Sequence, residues 1–195
     1  MTVVVAARTK NDGIVMASDS ELTGGWQRSL NAVPKIWIVD ERVMGSAGSV
    51  RAAQIVRHMV EWPDLWVDME GGFGPDDIER FMVKSVWPAI RYAADSNGIL
   101  ESHRGKEHLD ADFLIAYGDT LVEVYGDGSI VIPPSGRAAI GSGYAEALGH
   151  LGDDGPWSRA QVVKAARKAR LTAVGVGGPI YVASTRDLMV ELEPE

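Results

Sequence analysis

Thr2 stands directly ahead of an apolar run, Val3 to Ala7. At a free N-terminus a threonine supplies two catalytic groups at once. Its hydroxyl is a nucleophile, and its α-amine, with a reference pKa of about 7.7 to 8.0, is a usable base at neutral pH. A β-branched residue that merely opens a strand looks the same, so Thr2 gains weight only from its company. Asp19 follows the apolar stretch Ile14 to Ala17, where the chain leaves a strand. It reads either as a carboxylate held rigidly beside the strand that carries Thr2 or as an ordinary turn aspartate. Lys35 opens Lys35-Ile36-Trp37-Ile38-Val39. A lysine near the N-terminal amine depresses its pKa and favours the neutral, basic form, and Asp19 is a suitable anchor for that lysine; a solvated lysine at a strand end is the plainer reading. Through Gly45-Ser46-Ala47-Gly48 a strand passes straight into a helical pattern. Backbone N–H groups at such a turn stabilise an anion, either a phosphate or the oxyanion of an acyl transfer, and Gly48 is the candidate donor. Neither GxGxxG nor GxxxxGK[ST] is present, which disfavours phosphate; close packing of helix on sheet is the alternative reason for the glycines.

The elements that must position these groups follow from periodicity. Val3 to Ala7 and Ile14 to Ala17 flank Asp12-Gly13, a hairpin signal, and Lys35 to Val39 and Arg42 to Ser46 repeat the pattern around Asp40-Glu41. Between them Glu21 to Asn31 reads as a polar connection. Val50, Ala53, Val56, Met59 and Val60 recur at helical spacing, predicting a helix from 50 to about Trp62. A second helix is expected over 76–95, with Asp76, Asp77 and Glu79 at its positive end, a buried stripe of Ile78, Phe81, Met82, Ser85, Ala89 and Ala93, and a kink at Pro88. The segment Asn97 to Asp110 reads as a loop, followed by a three-stranded meander over 113–117, 121–125 and 130–132. Ala138 to Ile140 lead into a helix from Tyr144, Ser158 caps another, and strands over 179–184 and 188–192 close the chain. The order ββββ, αα, βββ, αα, ββ predicts an α+β sandwich with sheets inside and helix pairs outside.

A chain of 195 residues with 46% apolar content can form one domain, 1–195, around a substantial core. A net charge of −8 and the lack of any basic segment interleaved with aromatics argue against nucleic acid. There is no cysteine, and no apolar run is long enough to span a membrane, so a cytoplasmic protein is expected. His58, His103, His108 and His150 are scattered, with His103 and His108 in the polar loop, and no metal or cofactor is expected. No GxSxG elbow is present.

Taken together, Thr2 and its strand, VMASDS (15–20), Lys35, SAGSVRAAQ (46–54) and IGSGYAEA (140–147) resemble the proteasome β-subunit and HslV family of N-terminal nucleophile hydrolases, in order along nearly the whole chain. The resemblance implies a four-layer αββα sandwich and a threonine peptidase whose Thr2 is exposed by removal of Met1. It assigns tuning of that nucleophile to Asp19 and Lys35, the oxyanion hole to Gly48, and assistance in proton transfer to Ser142. It also implies peptide or unfolded-protein substrates, a ring of six or seven copies stacked in pairs, and an ATP-driven unfoldase as partner. Against the family pattern, Thr2 to Asp19 is one residue longer and Lys35 to Gly48 one shorter. Gly177-Gly178 follow Thr172-Ala173-Val174-Gly175-Val176, without the Asp and Ser that proteasome β-subunits usually place there. Two rival readings share the fold: a non-catalytic shell subunit that keeps Met1, and an amidohydrolase acting on a small amide. Trp62, Trp66 and Trp87 stand at or just beyond the ends of the first two helices; if their rings lie exposed, they form apolar patches of the kind that mark subunit contacts.

Overall fold

The computed structural model describes residues 1–24, 27–64, 74–103 and 105–194. The first hairpin forms as its turn signal demands, β1 (Val4–Arg8) pairing antiparallel with β2 (Ile14–Ser18). The run Glu21 to Asn31, expected as a connection, contains a second hairpin, β3 (Glu21–Gly24) and β4 (Gln27–Leu30). All of β4 is exposed, so no buried face imprints a two-residue period on its sequence. β5 (Ile36–Val39) and β6 (Arg42–Gly48) pair around Asp40-Glu41, and α1 (Val50–Met59) follows, capped by Ser49. It ends three residues short of the expected Trp62.

The next helix runs in three pieces: α2 (Pro75–Phe81), a π-helical turn (Met82–Val86) and α3 (Trp87–Ser96). Pro88 does not act as a simple kink. It lacks an N–H to continue the ladder, and the preceding Trp87 N–H bonds five residues back, to Met82. The extra residue in that turn shifts the buried stripe from the expected Ser85 and Ala89 to Val86 and Ile90. Asn97 to Asp110, expected as a loop, holds the hairpin of β7 (Leu100–His103) and β8 (Lys106–Leu109), which places His103 and His108 on strands. The meander appears as β9 (Ala111–Tyr117), β10 (Thr120–Val124) and β11 (Ile130–Val131). Then come β12 (Arg137–Ile140), α4 (Tyr144–Leu151), α5 (Arg159–Thr172) with a capping box between Ser158 and Gln161, β13 (Tyr181–Ser184) and β14 (Val190–Leu192).

Two five-stranded sheets, ordered β12-β1-β2-β13-β14 and β11-β10-β9-β6-β5, stack face to face. Val4, Ala6, Ile14 and Met16 point into the space between the sheets, against Val43, Leu114 and Ala116. The alternate residues Val3, Val5, Val15 and Ala17 pack under α4 and α5. α1, α2, the π turn and α3 cover the other sheet over Met44, Phe113, Ile115 and Val122. The architecture is the expected αββα sandwich. Burial on both faces explains why β1 and β2 run apolar through Val4 to Ala7 and Ile14 to Ala17 rather than alternating. It also means that alternation alone does not set the register of β1 on β2. Polar bonds at the end of the hairpin help to fix it: the Val3 N–H donates to Asp19 Oδ1 at 3.0 Å and the Asp19 N–H to the Val3 carbonyl at 3.3 Å.

Trp62 and Trp87 are half-buried and pack against the core beneath the first three helices, so these two rings do not form exposed contact patches; Trp66 lies outside the described residues. Among the described residues, Val50, Met59, Val83 and Tyr92 are the large apolar side chains that these helices expose. Among the described residues no helix is long and apolar enough to cross a membrane.

Candidate active site

Sheet order brings the five candidate residues to one end of the sandwich. β1 lies between β12 and β2 and runs antiparallel to both, so the ends of β12 and β2 flank its beginning. Ser142 follows β12 and Asp19 follows β2, one on each side of Thr2. In the facing sheet β5 and β6 are also antiparallel, so Lys35, just before β5, and Gly48, at the end of β6, meet at the same edge.

Side-chain contacts tighten this placement. Lys35 Nζ donates to Asp19 Oδ1 at 2.8 Å, to Thr2 Oγ1 at 2.9 Å and to the Met1 carbonyl at 3.4 Å. The Thr2 hydroxyl donates to that carbonyl at 2.7 Å. On the far side the Thr2 N–H donates to Ser142 Oγ at 3.2 Å, and the Thr2 carbonyl accepts from the Gly143 N–H at 3.1 Å. Gly141 turns there at φ +87°, where a Cβ would stand 2.4 Å from the Thr2 carbonyl oxygen, so close approach of the chain requires glycine. The Met1 amine reaches out to Thr23 Oγ1.

Asp19 is fully buried, and its carboxylate is satisfied at both oxygens. Besides Lys35, Oδ1 accepts from the Val3 N–H, while Oδ2 accepts from the Gly177 N–H at 3.1 Å and the Glu21 N–H at 3.2 Å. Where proteasome β-subunits carry polar side chains before the Gly-Gly pair, this chain brings the Gly177 backbone onto the aspartate. Lys35 is 8% exposed, and burial pushes its ammonium below the ordinary 10.5 while Asp19 opposes the shift. A buried, anchored lysine in contact with a hydroxyl is equipped to stabilise that hydroxyl as an alkoxide.

Gly48 borders two cavities that share Thr2 as a wall. One, of about 140 Å³, includes Lys35, Trp37 and Arg57; the other, of about 290 Å³, includes Ser142, His108, Asp110 and Asp112. Gly48 adopts φ +114°, and a Cβ there would lie 2.5 Å from the Asp110 carbonyl oxygen, just before the paired strand, and 2.8 Å from Ala111 Cα, its first residue. Gly48→Ala is therefore expected to cost about 1–3 kcal/mol from the backbone conformation alone, with a further loss from the clash, measurable as a lowered unfolding midpoint. A stability equal to wild type would show that the β6–β9 end is free to open.

All five sequence candidates thus share one edge; Thr2, Asp19, Lys35 and Ser142 are joined by hydrogen bonds. Sequence reasoning missed the cavity walls. Asp110 and Asp112 flank Ala111 at the start of β9, a carboxylate pair two residues apart that a strand reading would have put on one face. Arg57 left no signal of its own beside the periodic residues of α1.

The fold is the sandwich of HslV- and proteasome-type N-terminal nucleophile hydrolases. BPH from Thiobacillus denitrificans, solved in complex with epoxomicin, superposes with a TM-score of 0.72 at 20% identity, over 94% of this chain and 98% of that one. HslV from Trypanosoma brucei gives 0.61 at 20% identity, over 93% and 97% of the two chains. An Anbu Gly-1 mutant from Hyphomicrobium sp. strain MC1 gives 0.66 at 19% identity, over 98% and 88%. No family model and no curated sequence matches the chain.

Proposed function

We propose that this chain is a threonine peptidase of the proteasome β and HslV kind, acting through Thr2 once Met1 is removed. The observation that carries the reading is the buried contact of one lysine with both Thr2 Oγ1 and Asp19. With Met1 gone the Thr2 nitrogen is an amine beside Ser142 Oγ. The hydroxyl proton passes to that amine, directly or through Ser142, while Lys35 stabilises the oxygen left behind and Asp19 fixes Lys35. Oγ1 attacks the peptide carbonyl, and the Gly48 N–H is the assigned donor to the resulting oxyanion. The ammonium then returns its proton to the departing amine, leaving an ester on Thr2 that water hydrolyses to a carboxylic acid and free Thr2. No step needs a metal or cofactor.

The fold shared with HslV supports a ring that encloses Thr2, fed by an ATP-driven unfoldase, and the exposed Met59, Val83 and Tyr92 give the outer helices apolar contact surface. The chain beginning at Thr2, offered peptides and small amides side by side, is expected to cleave the peptides and to sediment as a ring of six or seven copies or a pair of such rings. A stable monomer near 21.0 kDa that turns over only small amides would replace this reading with the amidohydrolase.

A further inference from the structure

The two cavities beside Thr2 differ in charge. Asp110 and Asp112 line the larger one, whereas the smaller has no Asp or Glu among its described lining residues and carries Lys35 and Arg57. The Lys35 charge is matched by Asp19. Arg57 is half-buried on the last turn of α1, 5.8 Å from the centroid of the Trp37 ring, and among the described residues no carboxylate pairs with it. Burial accordingly pushes its guanidinium below the ordinary range, with no opposing partner. The spare positive charge on this wall is therefore that of Arg57.

Given the proposed mechanism, the two cavities also take different halves of a substrate. The proton returns to the leaving amine from the Thr2 nitrogen, whose partner Ser142 lines the larger cavity. The leaving half therefore departs on that side, and the acyl half lies along Lys35, Trp37 and Arg57. At about 140 Å³ the smaller cavity suits one side chain rather than a whole ligand.

We propose that Arg57 makes this chain select an acidic side chain on the residue whose carbonyl Thr2 attacks. This rests on the peptidase reading above for its place in the reaction, though not for the binding itself. A carboxylate there gains a charge-assisted bond with a guanidinium that is otherwise unpaired.

The test is a set of peptides that differ only in the residue before the scissile bond: glutamate, glutamine, leucine or lysine. Hydrolysis is measured with the chain beginning at Thr2 and with its Arg57→Gln variant. Binding of the same peptides, fluorescently labelled, is measured by anisotropy on Thr2→Ala with and without Arg57→Gln. Glutamate is expected to exceed glutamine by about tenfold or more in kcat/KM and in affinity, and Arg57→Gln to collapse that ratio towards one. Added salt should shrink it in parallel. If Arg57 serves only the negative end of α1, Arg57→Gln will lower the unfolding midpoint and leave the ratio alone, and the proposal fails. It fails also if leucine or lysine is preferred in both measurements. If glutamate binds selectively but no peptide is cleaved, the pocket assignment stands and the peptidase reading falls.

Discussion

Thr2→Ala is expected to lower peptide hydrolysis by at least about 10⁴-fold while the protein stays folded, because removal of a nucleophile that acts as a unit with its base leaves only binding and oxyanion stabilisation. The fold tolerates the change for a local reason. In the chain that begins at Thr2 the side chain loses its bond from Lys35, but its backbone stays held by Ser142 and Gly143. The stability lost should be about 1 kcal/mol. Thr2→Ser keeps the hydroxyl and should keep part of the activity. Initial rates paired with thermal unfolding separate the two effects; an alanine variant at wild-type rate would remove Thr2 from the chemistry.

Lys35→Ala is expected to cost at least about 10² in kcat/KM, the low end for a group that tunes proton transfer. Unlike Thr2→Ala it should also destabilise, towards the low end of about 3–5 kcal/mol, since it leaves Asp19 buried without its cation but with three backbone donors. Lys35→Arg should not rescue, because a planar fork cannot replace a point charge that touches Asp19 and Thr2 together. Asp19→Asn should fail for a reason visible in its bonds. Both carboxylate oxygens accept, so an amide must turn its NH₂ either towards Lys35 and Val3 or towards Glu21 and Gly177, donor against donor.

The pH dependence has a definite sign. The Lys35 pKa is lowered on folding, so between the folded value and 10.5 the unfolded chain holds the extra proton, and this group's contribution to stability rises with pH. Activity goes the other way, falling as Lys35 loses its charge, at a pH below the ordinary lysine range. An alkaline limb that is absent in a stable Lys35 variant, with stability followed over the same range, checks both halves.

Much of this site was legible because its parts sit at the ends of strands that announce themselves. Asp12-Gly13 fixed the first hairpin and so placed Asp19 beside Thr2, and the strand-to-helix passage at Gly48 was written in the switch from Met44-Gly45-Ser46 to the helical spacing of α1. The hairpins β3–β4 and β7–β8 were not legible, since each is a separate two-stranded unit largely open to solvent, and an exposed polar strand carries no hydrophobic period. The π turn escaped for a different reason. It adds one residue to a helix whose apolar positions fit an unbroken 3.6-residue repeat almost as well, and only packing shows that Val86 and Ile90, not Ser85 and Ala89, face the core. Arg57 was hidden because a pocket wall is assembled from four separate segments, and its charge means something only once the absence of a neighbouring carboxylate is seen in space.

The central claim is that Thr2 works with its own α-amine. Intact-mass spectrometry of the N-terminus, run on the same preparations whose peptide hydrolysis is measured, tests it most directly. The rate should scale with the fraction of chains that begin at Thr2, and chains that retain Met1, in which the Thr2 nitrogen is an amide bonded to Ser142, should be inactive. Full activity in a preparation that carries Met1 throughout would contradict the account.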